Sequence, residues 1–85
     1  MSWRVDLSRD AKKELARLPT VVQKRVTRVL LSLEEEPFPA NCKKLKNRDG
    51  WRARVGDYRI LYFADKGARQ IVVGVIAHRR DVYRK

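Results

Sequence analysis

The segment Trp51-Arg-Ala-Arg-Val-Gly-Asp-Tyr-Arg-Ile-Leu-Tyr-Phe63 leaves the chain little choice of local structure. It is two runs of β-forming residues joined by Gly56-Asp57, a two-residue connection with glycine first. Such a link suits a tight hairpin turn whose first central residue has positive φ. A two-residue loop also fixes the register, so that Val55 faces Tyr58, Arg54 faces Arg59, Ala53 faces Ile60 and Arg52 faces Leu61. Because strand side chains alternate, Trp51, Ala53, Val55, Tyr58, Ile60 and Tyr62 point one way, while Arg52, Arg54, Arg59, Leu61 and Phe63 point the other. One face is apolar and demands cover; the other carries arginines.

Upstream segments supply the cover. Trp3 to Leu7 alternates as a short strand buried on one face, and Ser8 followed by Arg9, Asp10 and Ala11 reads as a helix N-cap with an acid in the first turn. Ala11, Leu15 and Leu18 recur at helical spacing. Pro19, which suits a first helical turn, divides that helix from a second one. There Val22, Val26, Val29, Leu30 and Leu33 form an apolar stripe, with Lys24, Arg25 and Arg28 off it. Pro37 and Pro39 end the helical pattern, so Pro37 to Gly50 reads as a long connection. Its Lys43, Lys44, Lys46 and Arg48 make it a candidate RNA- or ribosome-contacting surface, with a solvated linker as the competing reading. After the hairpin strands, Asp65 to Ala68 supplies a second turn and Gln70 to Ala77 a last strand. The order β-α-α-β-β-β predicts an α+β fold, a helical hairpin packed on one face of a small, mainly antiparallel sheet. The 85 residues are expected to make one domain, residues 1–85.

Charge narrows the partners. Twenty-one Lys plus Arg against 10 Asp plus Glu leave a net +11, which points to a polyanion: RNA, DNA or an acidic protein. No apolar run approaches the ~20 residues of a membrane span, and Met1-Ser-Trp-Arg4 lacks the apolar core of a signal peptide, so no membrane role and a cytoplasmic location are expected. The single Cys42 can neither form an internal disulfide nor by itself anchor zinc.

Arg54 opposite Arg59 is a like-charge cross-strand pair, which ordinarily destabilises a sheet. Unit charges ~5 Å apart repel by about 1 kcal/mol in water and about 3 at intermediate dielectric. A bound anion reverses the sign, and guanidinium forks grip phosphate oxygens bidentately. The alternatives are a solvated patch or pairing with acids. The ending His78-Arg-Arg-Asp-Val-Tyr83 follows the last strand and can curl against the same sheet, bringing His78 and Tyr83, which can exchange protons as arginine does not.

Leu15-Ala-Arg-Leu-Pro19, Lys44-Leu45, the hairpin Arg52 to Tyr62 and the ending His78 to Tyr83 together resemble the RelE/ParE superfamily of toxin-antitoxin toxins over nearly the whole chain. The RelE branch, the most similar, implies a ribosome-dependent mRNA endoribonuclease that uses no metal or cofactor. It works by 2′-hydroxyl attack, giving 2′,3′-cyclic phosphate and 5′-hydroxyl ends. The resemblance places the family's catalytic positions on Arg52, Arg54, Arg59, Arg79 and Tyr83, with Arg54, Arg59 and Arg79 neutralising the phosphorane, Arg52 orienting the RNA and Tyr83 handling the proton. His78 is the alternative base and, with Arg80, a candidate RNA or ribosome contact. Some relatives carry Lys where this chain has Arg52 and Arg54, which makes a base harder to assign here. A cognate, acidic antitoxin, the ribosome and mRNA are the implied partners. The alternatives are a ParE-like DNA gyrase poison and a non-catalytic RNA- or ribosome-binding module.

Overall fold

A computed structural model describes residues 2–46 and 49–82. Its elements are β1 (Arg4–Leu7), α1 (Arg9–Arg17), α2 (Thr20–Ser32), β2 (Lys43–Lys44), β3 (Trp51–Val55), β4 (Tyr58–Asp65) and β5 (Gln70–His78). The strands form one sheet in the order β1-β5-β4-β3-β2, in which β1 runs parallel to β5 and every other neighbour is antiparallel. The α+β class is as the sequence predicts. The connection after α2, expected without regular structure, contains the extra edge strand β2.

Local chemistry sets the helix ends. Ser8 caps α1 by accepting from the Ala11 N–H at 3.1 Å, and Asp10 sits in the first turn. Leu18 is extended (φ −68°, ψ 147°), as the residue before a proline prefers. Pro19 occupies the N-cap of α2, one place earlier than the expected first turn, and its carbonyl accepts from Gln23 N–H at 2.8 Å.

The core lies between the helices and one face of the sheet. Ala11 from α1 and Val26, Leu30 and the C-cap Leu33 from α2 meet Ala53, Val55, Ile60, Tyr62, Ile71, Val73 and Ile76. Val22, Val29, Leu15 and Leu18 border it half-buried. The hairpin register is as the two-residue loop requires, with Arg54 opposite Arg59 and Gly56 at φ 59°.

Between β4 and β5 the register shifts after Leu61: Leu61 pairs with Val75 and Tyr62 with Val73, leaving Gly74 as a bulge. The extra residue reverses the alternation along β5. Ile71 and Val73 face the helices before it, and Ile76 and His78 face them after it, while Val75 and Ala77 share the arginine side.

Tyr62 ties the α2–β2 connection to the core. Its buried hydroxyl donates to the Pro37 carbonyl at 2.8 Å, and Phe38 packs between Trp3 and Trp51 with ring centroids at 6.0 and 4.7 Å. Burial raises the hydroxyl's pKa above its ordinary value of 10.0, and the neighbouring Cys42 adds to the shift. Above a pH of about 10 the unfolded chain releases this proton while the folded one keeps it, so stability declines as pH rises past that point. Tyr62→Phe is expected to cost about 1–3 kcal/mol at neutral pH, through the unpaired Pro37 carbonyl, and to flatten the alkaline decline. Urea unfolding across pH 7 to 11 measures both.

Candidate nucleic-acid interface

The arginine face is built from rows that cross the strands. Lys43 of β2 pairs with Arg52, which pairs with Leu61, and the next row runs from Arg54 through Arg59 to Ala77. Lys43 therefore joins the arginines, a position only the unforeseen β2 could supply. Lys44 pairs with Trp51 and stands on the other face, and Lys46 is exposed in the turn beyond. Arg48 lies outside the described residues.

Arg59 is the buried member, with 8% of its surface exposed. Its Nη1 donates to the carbonyls of Gly56 and Tyr58 at 3.0 and 2.9 Å, so the guanidinium is held over the turn of its own hairpin. Burial lowers its pKa, and the positive charges of Arg54, Arg52 and Arg79 lower it further, whereas Asp57 opposes them. Three arginines from two other segments thus act on Arg59.

Arg79 is drawn in by the hairpin turn. Its backbone N–H donates to the Asp57 carbonyl at 2.8 Å, and its Nε lies 3.9 Å from Asp57 Oδ1. The side chains of this ion pair are more than half exposed, so it positions more than it stabilises. Asp57, read from the sequence only as a turn residue, is the acid of this site.

Past Arg79, Val82 returns to the arginine face; among the described residues it is an apolar side chain, and not the expected polar ones, that packs against the sheet. Val82 is buried there with Leu61 and Ala77, and Leu45 and Val75 border the cluster. Tyr83 follows Val82 in sequence and lies outside the described residues.

His78 does not follow the expectation that placed it beside the arginines. It pairs with Tyr58 at the end of β5, on the helix side, and the two rings meet edge to face at 5.4 Å. Glu14, Arg17, Leu18 and Pro19 line the same shallow cavity of about 220 Å³. Its Nδ1 accepts from the Arg80 N–H at 3.2 Å, and its carbonyl accepts from Asp81 N–H at 2.8 Å. The Gly74 bulge is the cause, because unbroken alternation from Val73 would have turned His78 to the arginine side. The side chain of Arg80 is exposed.

Chemically, the face offers fixed positive charge with little acid. Arg54 and Arg79 are exposed for direct contact, while Arg59 contributes a buried, oriented charge. Among the described residues no three His, Cys, Asp or Glu side chains converge as a metal-ligand group. Nor is any helix among them long and apolar enough to cross a membrane.

Comparison with known proteins identifies the fold and the family. Residues 5–83 match the family model described as the ParE toxin of the type II toxin-antitoxin system parDE. A curated relative from Methanocaldococcus jannaschii, named as toxin RelE1, is 27% identical over 99% of this chain and 98% of its own length. Among solved structures, the archaeal RelE-RelB complex of Pyrococcus horikoshii matches with a TM-score of 0.83 and 30% identity, covering 93% of this chain and 97% of that one. The RelBE2 toxin-antitoxin complex of Mycobacterium tuberculosis matches with the same TM-score and 27% identity, covering 93% of this chain and 100% of that one. With its family model spanning nearly the whole sequence and its fold shared with RelE toxins, this chain belongs to the RelE/ParE superfamily of type II toxin-antitoxin toxins.

Proposed function

We propose that this toxin is a metal-independent, ribosome-dependent mRNA endoribonuclease. The observation that carries the reading is the convergence of Arg52, Arg54 and Arg79 on the buried Arg59, like charges that a polyanionic substrate would relieve. In the proposed reaction the ribose 2′-oxygen attacks the adjacent phosphorus. The bond from 2′-oxygen to phosphorus forms, the bond from phosphorus to the 5′-oxygen breaks, and the products carry a 2′,3′-cyclic phosphate and a 5′-hydroxyl. Negative charge builds on the non-bridging oxygens, where preorganised donors lower the barrier most. Arg54 and Arg79 contact those oxygens from solvent, Arg59 adds charge from beneath, and Arg52 orients the RNA.

Two protons must move, one off the 2′-hydroxyl and one onto the leaving 5′-oxygen. In the proposal Tyr83, the tyrosine on which the family resemblance falls, takes this role. His78, the alternative base, is less well supported from its place against Tyr58 on the helix side. It serves better as the acceptor that shapes the turn carrying Arg79.

A cognate antitoxin is the expected inhibitor, since the M. tuberculosis and P. horikoshii relatives were solved as toxin-antitoxin complexes. With a net charge of +11 on this chain, an acidic antitoxin segment covering the arginine face fits best.

The match to the ParE model favours one competing reading, a DNA gyrase poison. Inducible expression followed by mapping of cellular RNA 3′ ends separates them. Fragments ending in 2′,3′-cyclic phosphate are expected; intact mRNA beside trapped gyrase-DNA breaks would select the competitor.

On programmed ribosomes, Tyr83→Phe is expected to lower the cleavage rate by about 10²-fold or more while changing affinity little. Arg54→Ala should reduce both. Equal loss of rate and affinity in Tyr83→Phe would remove the tyrosine from proton transfer and leave a binding module. Affinity should also fall with salt, with a log-log slope of about −0.7 for each phosphate neutralised on a single strand.

A further inference from the structure

Phe63 is 46% exposed on the arginine face, an unusual place for a large aromatic side chain without cover. The sheet beneath it is shaped to receive the ring. A β-carbon on Gly50 would lie 3.0 Å from Phe63 Cε1, and one on Gly74 would lie 3.5 Å from Cε2. The ring therefore spans β4 with its two sides over glycines of the flanking segments. Gly50 is held at φ 128°, a conformation that itself disfavours any other residue. Aromatic cover of sheet glycines accounts for the packed side of the ring but gives no use for the open one.

The ring lies beside the proposed substrate site, with Leu61, buried together with Val82, between Phe63 and Arg59 on β4. Phe63 lies four residues beyond Arg59 on β4, about 13 Å along the strand. Arg52, opposite Leu61, is its diagonal neighbour at about 7–8 Å between Cα atoms. Val72, its cross-strand partner, is also partly exposed and widens the apolar floor. Two acids stand on this part of the face: Asp6, engaged by Arg4 and Gln70, each at 2.8 Å, and Asp65, two residues beyond Phe63 on β4, whose Oδ1 accepts from the Ala68 N–H at 3.0 Å. A flat, open aromatic ring bordering a cationic row is the arrangement that holds single-stranded nucleic acid, phosphates on the charges and a base on the ring.

We propose that Phe63 is a stacking platform for a base of the bound RNA, adjacent to the nucleotide whose phosphate the arginines hold. This rests on the ribonuclease reading for its substrate, and it makes Phe63 a positioning and specificity residue that takes no part in bond breaking. A nucleobase is the occupant argued for because the ring borders Arg52, which the ribonuclease reading assigns to orienting the RNA, and a protein segment on the ring is an outcome of the test.

The test is binding of the toxin to ribosomes programmed with mRNA that is 2′-O-methylated in the A-site codon, so that no 2′-hydroxyl can attack. Single abasic nucleotides are placed in turn on either side of the cleavage position. In the wild type one abasic position should weaken binding by about five-fold or more. Phe63→Leu, which keeps an apolar side chain, should lose about the same on the intact template and nothing further on that abasic template. Phe63→Tyr and Phe63→Trp should bind as the wild type does. The proposal is overturned if Phe63→Leu binds the intact template normally. It is equally overturned if the loss is the same on the abasic template, the outcome expected of a protein contact or of altered folding. Arg54→Ala separates the two levels of the argument. If it weakens binding while Phe63→Leu does not, stacking alone fails; if neither matters, or the wild type does not bind, the phosphate reading fails with it.

Discussion

The rest of the structure depends on the pairing fixed by Gly56-Asp57. Of these two turn residues only Gly56 has positive φ, at 59°, and the tight connection it permits sets Arg54 opposite Arg59 and Ala53 opposite Ile60. A slip of one residue would send the arginines into the helices and the core residues into water. The burial of Ala53, Val55, Ile60 and Tyr62 therefore opposes any register that would separate the arginines. Core and site are specified by the same contacts.

That arrangement concentrates like charge, and the fold handles it locally. Arg59 gives Nη1 to two carbonyls of its own hairpin, and Arg79 is drawn toward Asp57 at the turn. Neither interaction neutralises the face: burial chiefly lowers the pKa of Arg59, and the charges of Arg54, Arg52 and Arg79 lower it further. The dianionic phosphorane of the proposed reaction would be met by charges already in position, with little reorganisation left to do. The electrostatic cost of the free protein and the proposed affinity for a polyanion then have one origin.

Much of this was legible in the sequence because short-range rules decide it. The two-residue turn gave the register, the apolar stripe of α2 gave its buried side, and Ser8 and Pro19 marked the helix boundaries to within a residue. Two features escaped. Strand β2 consists of Lys43 and Lys44 alone, too short for any periodicity, and exists because the edge of β3 accepts it. The bulge at Gly74 was signalled only by a glycine inside a strand pattern, yet it decides that His78 faces Tyr58 and not the arginines. Arg79 belonged to the expected site by family resemblance. Its attachment to Asp57 is a tertiary contact that no local pattern encodes.

The central claim is that guanidinium groups of this face bear on the non-bridging oxygens of a scissile phosphate. The most direct measurement is single-turnover cleavage of ribosome-bound mRNA carrying sulfur in place of one non-bridging oxygen, each stereoisomer tested separately. The account predicts that one isomer slows the wild type and that Arg54→Ala, having lost the contact, shows a smaller penalty for the same substitution. A sulfur effect absent from the wild type, or of equal size in wild type and variant, would contradict it.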